Sequence, residues 1–259
     1  MAREKAGDMI VEEITLDLGG ESVSAALHLP SPAGQNGNAR PSGIGFVLAH
    51  GAGGDMKTPR LCEHAAGLVE QGHSVLRFNF PYREKGRKSP DPRPRLEKTY
   101  RAAAARLRAE PTVKKLFFSG HSMGGRMGTH VAAEGEPCDG LVLFGYPLHP
   151  AGGGPLRDEH LPKLKVPVLF VQGTRDALCE LSLLRPVLAK MGPTAQLYEV
   201  DGADHSLEIK RSSGRDPAEV RRAILEAVDA FVRGKVMKKP SSPGARSSSR
   251  AAYRRSPRV

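Results

Sequence analysis

Ser122, Asp176 and His205 are the residues whose types and settings could carry nucleophilic chemistry. A serine hydroxyl is a poor nucleophile at neutral pH until a base takes its proton. An imidazole acting as that base needs a carboxylate to hold its tautomer and to stabilise the imidazolium. Ser122 is the centre of Gly120-His121-Ser122-Met123-Gly124, which follows the apolar run Leu116-Phe117-Phe118. A Gly-x-Ser-x-Gly turn between strand and helix pushes the serine outward, and its two glycines let neighbouring backbone pass close. Asp176 follows the apolar run 167–173, and His205 follows the run 195–200 in Asp201-Gly202-Ala203-Asp204-His205. Asp201 and Asp204 are the alternative acids, although Asp204 adjoins His205 and would point away from it more easily. For Asp176 the alternative is an Asx turn or a helix cap.

Attack by Ser122 on an acyl carbon would create an oxyanion that needs two backbone donors. Met123, directly after the nucleophile, supplies one. The glycine-rich loop His50-Gly51-Ala52-Gly53-Gly54 supplies the other, through Ala52 or alternatively Gly53. His50 is expected to shape that loop and His121 to pack beside the serine turn. Tyr82, Tyr146 and Leu148 stand just beyond apolar runs, as walls of a substrate pocket or as ordinary packing. Arg126 would pair with a substrate anion or, more plainly, form a structural ion pair.

These residues share one position in the pattern: each follows an apolar run. The runs 44–49, 73–80, 113–119, 140–145, 167–173 and 195–200 alternate with helical stretches. Thr58-Pro59 opens one helix, the stripe Leu96, Tyr100, Ala103, Ala104 and Leu107 marks a second, and a third follows Ser122. A fourth spans 180–191. Asp216-Pro217 caps the last, whose Val220, Ile224, Val228 and Phe231 face inward, with Gly234 closing it. Such alternation predicts an α/β fold with a doubly wound, mostly parallel sheet and helices on both faces. In such sheets functional groups gather beyond the carboxyl ends of the strands. Residues 10–18 and 21–30 alternate in polarity around Gly19-Gly20, which predicts an antiparallel hairpin at one edge. The stretches 30–43, 83–94 and 148–165 read as loops, the last with room for one short helix.

The 259 residues suit one domain at 10–234, with a flexible start at 1–9 and a tail at 235–259. Eight of the charges behind the net +11 lie in that tail, which contains no acid, leaving +3 for the remainder. Its Ser, Pro and Arg content predicts disorder, and its charge alone is a thin basis for nucleic-acid binding. The basic run 83–101 reads as a solvated face. Cys62, Cys138 and Cys179 are too few and too scattered for a disulfide framework or a metal site. With no apolar leader and no membrane-length apolar run, the chain reads as a soluble cytoplasmic protein that needs no cofactor or metal.

The order Ser122, Asp176, His205 is the order used by α/β-hydrolases. Residues of about 10 to 233 resemble a small member of that fold with a minimal lid, similar to dienelactone-hydrolase-like proteins. Within that group, four stretches resemble a subgroup related to a testis-expressed α/β-hydrolase-like protein and to the scaffold subunit of the NSL histone-acetyltransferase complex. They are 50–56, 77–82, 120–126 and 144–150. The resemblance implies the fold, the triad positions and a serine hydrolase acting on a small ester, thioester or related acyl substrate. Ser122 replaces the cysteine nucleophile of dienelactone hydrolases proper. The alternative function is a non-catalytic scaffold on the same fold. Oligomeric state is not legible.

Overall fold

The computed structural model describes residues 3–6, 9–31, 40–235 and 237. Most of the loop at 30–43 and almost all of the basic tail, with its expected disorder, lie outside the described residues. The strands are β1 (Arg3–Ala6), β2 (Met9–Asp17), β3 (Ser22–Pro30), β4 (Ile44–Ala49), β5 (Ser74–Phe78), β6 (Lys115–His121), β7 (Gly140–Phe144), β8 (Val168–Gly173) and β9 (Ala195–Val200). They form one sheet in the order β1-β2-β3-β5-β4-β6-β7-β8-β9. From β5 across to β9 every neighbouring pair is parallel. β1, β2 and β3 join at the β5 edge through antiparallel pairs.

The predicted hairpin is β2–β3, with Asp17 opposite Ser22 and Gly19-Gly20 in its turn. The pattern of residues 1–9 predicted no strand, yet β1 pairs with β2 from Arg3 against Glu12 to Ala6 against Met9. Backbone pairing to an open edge needs no apolar pattern, which is why periodicity misses it.

The helices are α1 (Pro59–Glu70), α2 (Pro81–Glu84), α3 (Arg93–Arg108), α4 (Met123–Ala133), α5 (Leu181–Met191) and α6 (Pro217–Val232). α1 and α6 cover one face of the sheet, and α3, α4 and α5 the other. Along β4, Val47 and Ala49 enter one core while Phe46 and Leu48 enter the other. β7 repeats this with Leu141 and Leu143 against Val142 and Phe144. Side chains alternate across a strand, so a run buried on both faces must be apolar throughout. Each fully buried Phe or Leu contributes about 1.5–3 kcal/mol.

Two local expectations need correction. Thr58 occupies the cap position of α1, but its hydroxyl accepts from the Asp55 N–H at 3.0 Å and so fastens the preceding turn rather than the helix. α2 begins where an irregular loop was expected, because Pro81 at its first position has the backbone angle of a helix already set. Asp216 does cap α6, accepting from the Ala218 N–H at 2.8 Å.

The parallel register brings the ends of β4, β6, β7, β8 and β9 to one rim. α4 crosses β4 so closely that a Cβ on Gly124 would lie 2.4 Å from the Ala49 carbonyl oxygen. Backbone, unlike a flexible side chain, cannot give way there. Gly124→Ala is expected to destabilise the fold by about 1–3 kcal/mol. Urea unfolding at pH 7.5 measures this, and an unchanged midpoint would contradict the close approach.

Candidate active site

The turn from β6 into α4 sets Ser122 at φ 52°, ψ −119°. A side-chain-bearing residue in such a conformation is strained by about 1–3 kcal/mol and persists only where its surroundings hold it. Here the Ser122 N–H donates to the Phe144 carbonyl at 3.0 Å, and the Arg126 N–H donates to the Ser122 carbonyl at 3.1 Å. The serine is thus fixed to the end of β7 on one side and to the first turn of α4 on the other.

His205 arrives on a tight loop after β9. Asp204 Oδ1 accepts from the N–H groups of Ser206 at 2.9 Å and Glu208 at 3.0 Å, Ala203 bridges to Ile209, and Leu207 takes a positive φ of 60°. Asp204 therefore shapes the loop and does not serve His205. Asp201 faces Thr174 and Arg215. Asp176 follows β8, where the Leu178 N–H donates to its Oδ1 at 2.7 Å and the Gln172 amide donates to its Oδ2.

These elements bring together the three side chains named from the sequence. His205 Nδ1 lies 2.8 Å from Asp176 Oδ2, and His205 Nε2 lies 2.8 Å from Ser122 Oγ. The Asp176 side chain is fully shielded, whereas that of His205 is 23% exposed. A buried carboxylate holding Nδ1–H leaves Nε2 as the acceptor facing the hydroxyl.

Three neighbours that hold this arrangement were not singled out for it from the sequence. Gln172 accepts from the Tyr146 N–H at 2.9 Å while donating to Asp176, so one buried amide locks the ends of β7 and β8 around the carboxylate. Its signal was a lone amide in an otherwise apolar buried strand. His121 Nε2 donates to the His205 carbonyl at 3.0 Å. Gly145, at φ 59°, lies so near the His205 carbonyl oxygen that a Cβ would stand 2.5 Å away.

The proposed oxyanion donors, the backbone N–H groups of Ala52 and Met123, make no hydrogen bond to other described residues. Gly53, the alternative donor, has its N–H beside the Tyr82 hydroxyl. His50 shapes this loop as expected. Its Nδ1–H donates to the Gly51 carbonyl at 2.8 Å and its Nε2 accepts from the Phe80 N–H at 3.1 Å, a pattern only the neutral ring can make. Burial pushes its pKa down to about 4. A cavity of about 210 Å³ adjoins the loop, lined in part by Ala52, Thr58, Leu61, His121 and Ser206.

Tyr82, Tyr146 and Leu148 are all fully buried. The Tyr146 hydroxyl donates to the Arg157 carbonyl at 2.8 Å, and Leu148 packs in the core, so neither is a wall open to a bound molecule in this conformation. Arg126 makes no ion pair among the described residues, contrary to the plainer expectation. In the basic run 83–101, Arg83, Lys85, Arg87, Arg93, Arg95 and Arg101 each face a carboxylate, so that face is largely neutralised rather than merely solvated. All three cysteines are free, and burial pushes the Cys138 and Cys179 thiols up to about 12. Among the described residues no three His, Cys, Asp or Glu side chains gather as a metal-ligand set, and no helix is long and apolar enough to cross a membrane.

A strained serine at the strand–helix turn, answered by histidine and aspartate from the last two strands of a parallel sheet, defines the architecture of an α/β-hydrolase. Residues 43–233 match the family described as an alpha/beta hydrolase domain, and the chain belongs to it. The fold is also similar to that of XC6422 from Xanthomonas campestris, described as an a/b serine hydrolase without lid. The two are 23% identical over 90% of this chain and 97% of that one, with a TM-score of 0.66. A dienelactone hydrolase from Anabaena variabilis is 20% identical over 89% and 100% of the two chains, with a TM-score of 0.68. Est1E from Butyrivibrio proteoclasticus is 16% identical over 87% and 99%, with a TM-score of 0.63.

Neutral buried histidines also predict how the fold responds to acid. Burial holds His50 at about 4 and His64, stacked on Phe144 at 4.3 Å, at about 3, against about 6.5 in an unfolded chain. Their contribution is complete above pH 6.5. It is lost as pH falls toward the folded values, because the unfolded chain takes up the protons first. At pH 5 each would remove at most about 2 kcal/mol. His64→Phe keeps the ring stack and removes one such group, so its urea midpoint should fall less than the wild type's between pH 7.5 and 5.0. Equal falls would contradict the assignment.

Proposed function

We propose that the protein is a serine hydrolase that cleaves small esters, thioesters or related acyl compounds through an acyl-enzyme. The single observation that carries this reading is the unbroken line from Asp176 through His205 to Ser122, with both hydrogen bonds at 2.8 Å. As Ser122 Oγ attacks the acyl carbon, its proton passes to His205 Nε2, and Asp176 stabilises the imidazolium. Carbonyl oxygen becomes oxyanion, which we assign to the N–H groups of Ala52 and Met123, both without a hydrogen-bond partner among the described residues. Collapse expels the alcohol or thiol, which takes the proton from His205. Water then gives its proton to the same nitrogen, adds to the acyl carbon and releases the acid, restoring Ser122.

The cavity of about 210 Å³ beside the oxyanion loop is below the usual size of drug-like sites, which supports a small acyl or alcohol group. With Tyr146 and Leu148 buried, we assign them the support of the rim, and Tyr82 the support of the oxyanion loop through its edge-to-face contact with His50 at 5.9 Å. Within the dienelactone-hydrolase-like group, we place the chain nearest the subgroup of the testis-expressed protein and the NSL-complex scaffold, on the stretches 50–56, 77–82, 120–126 and 144–150. We place it in the cytoplasm on composition. The scaffold alternative gains no support from a site whose acid, base and nucleophile are all in hydrogen-bonding register.

Turnover of 4-nitrophenyl acetate and butyrate is the expected activity. Ser122→Ala or His205→Ala should lower kcat by roughly 10⁴- to 10⁶-fold, and Asp176→Asn by about 10⁴-fold, with the fold retained. A fluorophosphonate probe should label the wild type and not Ser122→Ala. A folded wild type that neither hydrolyses nor labels would favour the scaffold.

A further inference from the structure

Arg126 lies in the first turn of α4, four residues beyond Ser122, and its N–H donates to the Ser122 carbonyl at 3.1 Å. Side chains on a helix incline toward its N-terminus, which for α4 is the end that carries Ser122. Among the described residues it has neither hydrogen bond nor ion pair, and its Nε is shielded from solvent without a partner. Leaving a desolvated cation unpaired is costly. Arg60 at the oxyanion side differs, since Glu63 and Glu208 both face it.

The surroundings of Arg126 add positive charge and donors. Arg157 is close enough to depress the Arg126 pKa further, after burial itself. Its backbone is anchored by the Tyr146 hydroxyl and the Leu148 carbonyl, while its Nη1 reaches only the carbonyls of Pro147 and His149, at 3.4 and 3.5 Å. His130 stacks on His160 with ring centres 3.7 Å apart. Arg93 Nη1 donates to His130 Nδ1 at 3.4 Å, so the proton of the neutral ring is on Nε2, a buried donor without an acceptor. Burial and the neighbouring cations hold His130 at about 3 and His160 at about 4, so both rings are neutral at pH 7. Nearby acids are committed elsewhere: Glu97 and Glu134 face Arg93, at 3.2 and 3.9 Å.

We propose that the substrate carries a small oxyanion, a carboxylate or a phosphate, that binds to Arg126 and Arg157 with His130 Nε2–H as a further donor, one helical turn from the reacting serine. A planar guanidinium accepts such a group through two parallel hydrogen bonds. This assigns Tyr146 and Leu148 a purpose consistent with their burial, which is to hold the Arg157 loop over α4. The proposal rests on the hydrolase reading and names the substrate class for it.

Matched ester pairs test it: 4-nitrophenyl hemisuccinate against 4-nitrophenyl butyrate for a carboxylate, and 4-acetoxyphenyl phosphate against 4-tolyl acetate for a phosphate. In at least one pair, Arg126→Gln should lower the anionic-to-neutral ratio of kcat/KM by roughly 10- to 100-fold, with Arg126→Lys losing less. The pair that responds identifies the anion. A ratio unmoved within twofold in both pairs overturns the proposal, whatever the neutral esters do. Absence of turnover on all four esters is instead the failure of the hydrolase reading. In that event, calorimetric titration of succinate and of inorganic phosphate decides the anion site alone. Binding by wild type that is lost in Arg126→Gln sustains it, and no binding by wild type overturns it. Arg157→Gln provides the same comparison should Arg126→Gln fail to fold.

Discussion

The constraint on which the site depends is the backbone of one serine held at φ 52°. A relaxed serine would point its hydroxyl along the sheet surface. The strained one points it above the rim, and about 1–3 kcal/mol of strain must be held by the neighbours. Those neighbours are backbone: the Phe144 carbonyl, the first turn of α4, and the Ala49 carbonyl against Gly124. Such contacts exist only when β4, β6 and β7 are in parallel register and apolar on both faces. Formation of the core and formation of the nucleophile are thus one event.

A second backbone-level device fixes the base. The Gly145 backbone and His121 Nε2 both meet the carbonyl of His205, so the last residue of the nucleophile strand and the first residue after β7 also position the histidine that serves the serine. Gln172 does the same for the acid, tying Asp176 to the end of β7. Around this centre the histidines His50, His64 and His121 are all pushed toward neutrality by burial, so these imidazoles add no positive charge beside the base. On the α4 side, Arg126 and Arg157 make no ion pair among the described residues.

Much of this was legible in the sequence because it is periodic or positional. Apolar runs on both faces announced the parallel strands, and the residue after each run fell at the rim where Ser122, Asp176 and His205 meet. What periodicity could not supply was who touches whom across the sheet. Tyr146 and Leu148 follow the end of β7 and so looked like pocket walls, but their side chains turn inward and are fully buried. Arg126 looked ready for a structural ion pair because arginines on helices usually find one. Its isolation depends on what surrounds it: His130 one turn on along α4, Arg93 at the start of α3, and His160 and Arg157 from the loop 148–165, none of them an acid. β1 was missed because an edge strand can form through backbone bonds alone.

The most direct measurement of the central claim is a crystal structure of the protein after reaction with a small alkyl fluorophosphonate, a mimic of the tetrahedral intermediate. Phosphorus should be bonded to Ser122 Oγ, with one phosphonyl oxygen about 2.7–3.1 Å from the N–H groups of Ala52 and Met123. His205 Nε2 should stay within hydrogen-bonding distance of the adduct, and Asp176 on Nδ1. An adduct on another residue, or a phosphonyl oxygen turned away from both backbone donors, would contradict it.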